Sequence, residues 1–205
     1  MTEVAAPPAV IVVSDFVCPW CYIGLAEIAR LHREYAIDLE FAPFLLDPST
    51  PPEGKPRRPM TQPGDAPSDM EMRGQSLGIT FARGRTFTSN SHFALEAAEF
   101  ASERGHVLDF REAMFKAYFT DLLDIGRAET VVAIGTSVGL DAPELRLALE
   151  DGAYRQQVDD GIAWSREIGV TGVPTFVFVE QYGVVGAQDY AVLEKVMAQL
   201  GIPKR

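Results

Sequence analysis

The chain has 205 residues, 47% of them hydrophobic and 23% charged, with a net charge of −11. That size and balance suit a soluble globular protein with one well-filled core, or one core carrying a sizeable insertion. The acidity excludes the positive footprint that a phosphate backbone needs and disfavours anionic membrane surfaces, so neither nucleic acid nor a membrane is expected as a partner.

Residues 1–8 carry no Lys or Arg and no apolar run of signal-peptide length, which predicts a cytoplasmic protein. Residues 9–13 are apolar and β-branched, the pattern of a buried strand. Then comes Cys18-Pro19-Trp20-Cys21, which holds the only two cysteines of the chain. Pro19 suits the first position of a helix, where its fixed φ and missing N–H are tolerated, and this makes Cys18 the N-cap. The helix runs to about residue 35, with Ile23, Leu25, Ile28 and Leu31 on its apolar face. Residues 37–44 alternate at their start and predict a second strand. Strand, helix and strand form a βαβ unit with a right-handed crossover.

Residues 47–67 are of another kind. They contain seven of the 14 prolines, together with Lys55, Arg57 and Arg58, and predict a long irregular loop inside a domain. From residue 68 to 169 the signal is helical. A weak helix over 69–77 and a loop over 79–89, with Arg83 and Arg85, precede helices over 91–104, 107–123, 128–138, 142–151 and 154–168. No strand is expected among them. A strand over 175–179, a turn at Tyr182-Gly183, a short strand over 184–186 and a helix over 189–200 close the chain, with Asp189 as N-cap. The scattered methionines read as core.

A strand, a Cys-x-x-Cys and a helix in that order signal a redox site of the thioredoxin kind. Stable structural disulfides are rare in the cytoplasm, so a lone pair is expected to be catalytic or metal-binding. A closed zinc site needs about four ligands, and His32, His92 and His106 have no metal-like spacing, so no metal is expected. At a helix N-terminus, unpaired N–H groups and the helix dipole favour an anion, which makes Cys18 the attacking thiolate. Cys21 lies nearly one turn further in and is the resolving thiol. Trp20 offers a partly exposed apolar contact beside Cys18. Asp15 either ties the loop backbone or serves as a proton partner. Glu40 is either an acid buried behind Cys21 or, the favoured reading, part of an exposed strand face. Ser89-Asn90-Ser91 either caps the following helix or reaches into a substrate pocket. Lys55, Arg57, Arg58, Arg83 and Arg85 are either solvated loop charges or a basic rim for an anionic ligand such as glutathione.

Several stretches carry a resemblance that covers residues 9–200. They are Asp15-Phe16-Val17-Cys18-Pro19-Trp20-Cys21, Ser89-Asn90-Ser91, Ala117-Tyr118-Phe119, Asp124-Ile125-Gly126, and residues 169–175 with Val173-Pro174. Together they resemble the DsbA-like branch of the thioredoxin superfamily. Within it they are most similar to the FrnE-like group, related to 2-hydroxychromene-2-carboxylate isomerases and kappa-class glutathione transferases. The resemblance implies an α/β, thioredoxin-like fold with a large all-helical insertion. The thioredoxin-like domain would be discontinuous, over 9–66 and 170–201, with the insertion domain over 67–169. It also implies a cis Val173–Pro174 bond and substrate contacts from Val173 and Pro174; Pro19, Trp20 and Asn90 complete the candidate substrate-binding residues. The implied activity is thiol:disulfide exchange on protein or small-molecule thiols and disulfides. No tightly bound cofactor is expected; glutathione is a candidate co-substrate and a homodimer a candidate assembly. The competing function is a glutathione-dependent isomerase or transferase acting on a small aromatic or polyketide-type substrate. In that branch the position of Cys18 is typically Ser, so the retained pair favours redox chemistry.

Overall fold

The computed structural model describes residues 7–179 and 182–205. Its centre is β1 (Ala9–Ser14), a run of Val and Ile that suits a pleated, buried surface. Strand β2 (Asp38–Pro43) pairs with it in parallel, Val12 beside Phe41. On its other side β5 (Thr175–Phe178) runs antiparallel, and β6 (Tyr182–Val185) follows at the edge, giving the order β2-β1-β5-β6.

Register sorts the side chains. Val12 faces Phe176 and Val10 faces Phe178, all four buried on one face of the sheet. The helix α1 (Pro19–Glu34) packs on that face and against the closing helix α8 (Tyr190–Gln199). On the opposite face Ile11 and Val177 line a cleft of about 520 Å³ together with Trp164 and Ile168.

Six helices separate β2 from β5 in the chain: α2 (Asp69–Ser76), α3 (His92–Glu103), α4 (Val107–Phe119), α5 (Ala128–Ser137), α6 (Ala142–Glu150) and α7 (Arg155–Glu167). Their local signals are sound. Ser68 and Glu71 form a capping box on α2, and the Asp141 carboxylate accepts the Glu144 N–H at 2.9 Å on α6. The block is tied to the sheet at two places. Helix α4 lies against α1, and α7 lies against β2, where the Ser165 hydroxyl donates to the Pro43 carbonyl at 3.0 Å.

Four expectations change. The helical block is not free of strands, since β4 (Phe87–Thr88) lies within it and pairs in a two-residue ribbon with β3 (Lys55–Pro56) of the proline-rich segment. Tyr182 and Gly183 belong to β6 rather than to a turn, and residues 180–181 lie outside the described residues. Asp189 occupies the N-cap of α8 but makes no capping bond, because its carboxylate turns to Arg73 at 3.0 Å. Met114 and Met197 are core, whereas Met60 and Met72 are exposed. Among the described residues no helix is long and apolar enough to cross a membrane.

Candidate active site

Strand β1 ends at Ser14, and the chain turns through Asp15, Phe16 and Val17 before α1 begins. The Cys18 N–H closes this turn on the Asp15 carbonyl at 3.1 Å. Phe16 anchors it from inside, its ring 5.0 Å from that of Phe115 on α4. Cys18 then stands at the N-cap with extended backbone, and Pro19 follows at the head of the helix. No side chain caps α1, so the N–H groups of its first turn are left for the Cys18 sulfur.

The opposite wall is the segment before β5, where the Val173–Pro174 bond is cis. The Cys18 thiol donates to the Val173 carbonyl at 3.4 Å across 155 residues of chain. Gly24 makes this approach possible. A Cβ there would stand 2.9 Å from Pro174 Cγ and 3.1 Å from Phe176 Cζ. Gly24→Val is therefore expected to push α1 off Pro174, lower stability by ~1–3 kcal/mol and reduce turnover beyond what the lost stability explains. Urea unfolding and a disulfide-reduction assay check this. Wild-type stability and rate in the variant would contradict it.

Both thiols are free, and both cysteines are buried, 3% exposed at Cys18 and 2% at Cys21. Their protonation is nonetheless split. A hydrogen bond from the Cys21 thiol is the main influence that lowers the Cys18 pKa, and backbone N–H groups of Cys21 and Trp20 add to it. Burial and the charge of Asp15 oppose this without reversing it. Burial pushes Cys21 well above the ordinary thiol range, and the bond it gives to Cys18 holds its proton further. One nearly buried pair thus contains an anion-prone sulfur and a proton-retaining sulfur.

Asp15 sits beneath them, 1% exposed. Its carboxylate accepts the Val17 N–H at 3.3 Å and the Leu46 N–H at 2.8 Å. Burial raises its pKa to about 6 in spite of these bonds and one from the Ser91 hydroxyl. Asp15 therefore ties the loop backbone, and burial leaves its carboxyl raised toward neutrality. Sequence reasoning missed Leu46 and Ser91 as its partners. Ser91 was visible as part of Ser89-Asn90-Ser91, but its direction was not.

Trp20 is 40% exposed beside the thiols. Asn90 spans two backbone groups, donating to the Thr50 carbonyl at 2.8 Å and accepting the His92 N–H at 3.0 Å. It lines a cleft of about 410 Å³ with Pro52, His92, Phe93 and Glu96, to which neither cysteine contributes. Glu40 is exposed on β2. His92 bridges Glu96 at 2.9 Å and Asp159 at 3.0 Å. Lys55 pairs with Asp47, and Arg83 is held by Glu71, while Arg58 is exposed. Among the described residues no three or more His, Cys, Asp or Glu side chains are arranged to hold a metal ion.

Comparison with known proteins gives a consistent picture. A family model described as the DSBA-like thioredoxin domain matches residues 9–198. YwbO of Bacillus subtilis (strain 168), described as uncharacterized, is 26% identical over 192 residues, across 91% of this chain and 94% of that one. The crystal structure of a probable DsbA oxidoreductase, SCO1869 from Streptomyces coelicolor, superposes with a TM-score of 0.83 at 25% identity, covering 94% of this chain and 89% of the other. A 2-hydroxychromene-2-carboxylate isomerase superposes with a TM-score of 0.71 at 18% identity, covering 94% and 95%.

Proposed function

The chain belongs to the DSBA-like thioredoxin domain family, and from that premise we propose that it is a FrnE-like thiol:disulfide oxidoreductase in which Cys18 attacks and Cys21 resolves. The observation that carries the reading is the unequal pair: the Cys18 pKa is lowered at the head of α1, while burial raises that of Cys21 beside it. In the reductive direction the Cys18 thiolate attacks one sulfur of a protein or small-molecule disulfide. The substrate S–S bond breaks, one substrate thiolate leaves, and Cys18 carries the mixed disulfide. Cys21 then loses its proton to Asp15, whose pKa of about 6 lets it accept one at neutral pH. The Cys21 thiolate attacks Cys18 Sγ and releases the second substrate thiolate. The substrate has gained two electrons, and the protein holds a Cys18–Cys21 disulfide that an external thiol reduces again; glutathione is one candidate for that role. Val173 and Pro174 form the wall against which the substrate backbone lies, and Pro19 and Trp20 flank the attacking sulfur.

The reading places the reaction in the cytoplasm, where a lone cysteine pair serves catalysis better than cross-linking. Cys21→Ser is the direct test. It is expected to accumulate a mixed disulfide between Cys18 and substrate peptide, seen as an added mass that dithiothreitol removes. A Cys21→Ser protein that never gains this mass while wild type reduces insulin would overturn the assignment of roles. The glutathione-dependent isomerase or transferase is the competing reading, and saturable glutathione binding that survives Cys18→Ser would favour it.

A further inference from the structure

The β3–β4 ribbon does more than close a loop. Its pairing, extended by the Arg57 N–H donating to the Thr86 carbonyl at 2.9 Å, lays the two segments that carry Arg57 and Arg85 side by side. Both residues line a small cleft with Pro19, Met60, Phe81 and Phe119. Pro19 is the residue bonded to Cys18, so this cleft begins one residue from the nucleophile, although neither cysteine lines it. Its volume is about 70 Å³, room for a head group but not for a peptide.

The charges in the cleft are not balanced. The one carboxylate on its wall, Glu71, is engaged by Arg83 through Nε at 2.7 Å and Nη2 at 3.1 Å. Among the described residues neither Arg57 nor Arg85 forms an ion pair. The Arg85 guanidinium lies over the rings of Tyr118 at 3.9 Å and Phe119 at 4.8 Å. It donates one long bond, Nη1 to the Tyr118 carbonyl at 3.4 Å, and its Nε is buried without a partner. Burial lowers the Arg85 pKa, and the like charge of Arg57 lowers it further, so the two cations are near enough to repel. A partly desolvated guanidinium with an unused N–H and a like-charged neighbour is stabilised by an anion, and its fork matches a carboxylate. This positive spot also stands out in a chain of net charge −11, whose overall field repels anions.

We propose that Arg57 and Arg85 form a carboxylate-recognising subsite that makes the enzyme selective for anionic low-molecular-weight disulfides. The inference rests on the oxidoreductase reading and adds a substrate class to it. A carboxylate held between the two guanidiniums, its carbon stem against Met60 and Phe119, delivers the attached disulfide to the Cys18 side of Pro19.

The test uses a matched pair, dithiodipropionate and its neutral bis-amide, with the pre-reduced full-length protein. Wild type is expected to favour the diacid by about tenfold in kcat/KM, the discrimination expected of one charge-assisted hydrogen-bonded contact. Added salt should erode the preference. Arg57→Gln and Arg85→Gln should each move the ratio of diacid to bis-amide toward one, chiefly through KM for the diacid, and Arg85→Lys should restore part of it. Arg57 does not support the aromatic stack, so its variant separates charge recognition from any folding defect at Arg85. Reduction of both compounds by wild type with no preference, or a preference that survives in both Gln variants, would overturn the subsite alone. Reduction of neither compound by wild type, with insulin also untouched, would overturn the oxidoreductase reading and the subsite with it.

Discussion

Cys18→Ser is expected to bring dithiothreitol-driven reduction of insulin disulfides down to the uncatalysed rate, on the order of a thousandfold or more below wild type. The reaction needs an ionised sulfur, and a serine hydroxyl at the head of α1 stays protonated however many N–H groups face it. Cys21 cannot take over. Burial holds its pKa well above the ordinary thiol range, whereas that of Cys18 is lowered. Its hydrogen bond to Cys18 is also the largest influence lowering the Cys18 pKa, so the roles of the two sulfurs are linked. The same asymmetry predicts that iodoacetamide alkylates Cys18 first, with the site read by peptide mass spectrometry. Turnover in Cys18→Ser that stays within tenfold of wild type would contradict the assignment of the nucleophile.

The parts of the site that could be read from sequence are those with local causes. A β-branched run, Pro19 at the first helical position and Cys18 before it specify strand, cap and helix within about ten residues, and β1 and α1 lie where that pattern puts them. The DsbA-like thioredoxin fold follows from these elements together with Val173-Pro174 and the helical stretch between them. What was not legible depends on pairs far apart in the chain. The β3–β4 ribbon is only two residues long on each side and joins Lys55 to Thr88, too short to leave a periodic signal. Gly183 read as a turn because glycine is permissive, yet its register opposite Val177 places it in β6. Asp189 has the chemistry of a cap, but Arg73 on α2 competes for its carboxylate. Arg85 looked like a solvated loop charge because the rings that cover it belong to residues 118 and 119. Asn90 was open to a pocket or a capping role; its side chain binds the backbone of Thr50, 40 residues earlier, and of His92, and only the second of these partners is local. Asp15 could be seen to be near the cysteines, but not that it was buried.

That burial gives Asp15 a second large and measurable consequence. Its pKa rises from 3.8 to about 6, chiefly through desolvation. Between those two values the folded protein holds a proton that the unfolded chain has released. The stabilising contribution is therefore complete below about pH 4 and is lost as pH rises to about 6. The side chain is 1% exposed, so solvent does little to screen it. A shift of about two units corresponds to about 3 kcal/mol. Asp15→Asn removes the titration. The stability of wild type relative to the variant, from urea unfolding, is expected to fall by about 3 kcal/mol between about pH 4 and about pH 7. A difference that stays flat across that window would rule out a raised carboxyl at this position. The substitution also reaches the chemistry, because Asp15 disfavours charge on both sulfurs. Without it the Cys18 pKa should fall further, and the first attack should persist to lower pH. The resolving step should move the other way, slowing by about a hundredfold as Cys21 loses its proton acceptor. In Asp15→Asn the mixed disulfide at Cys18 is therefore expected to form normally and to linger at neutral pH, with its decay recovering as the solution is made alkaline. Decay at the wild-type rate near pH 7 would leave Asp15 with its backbone bonds and no part in proton transfer.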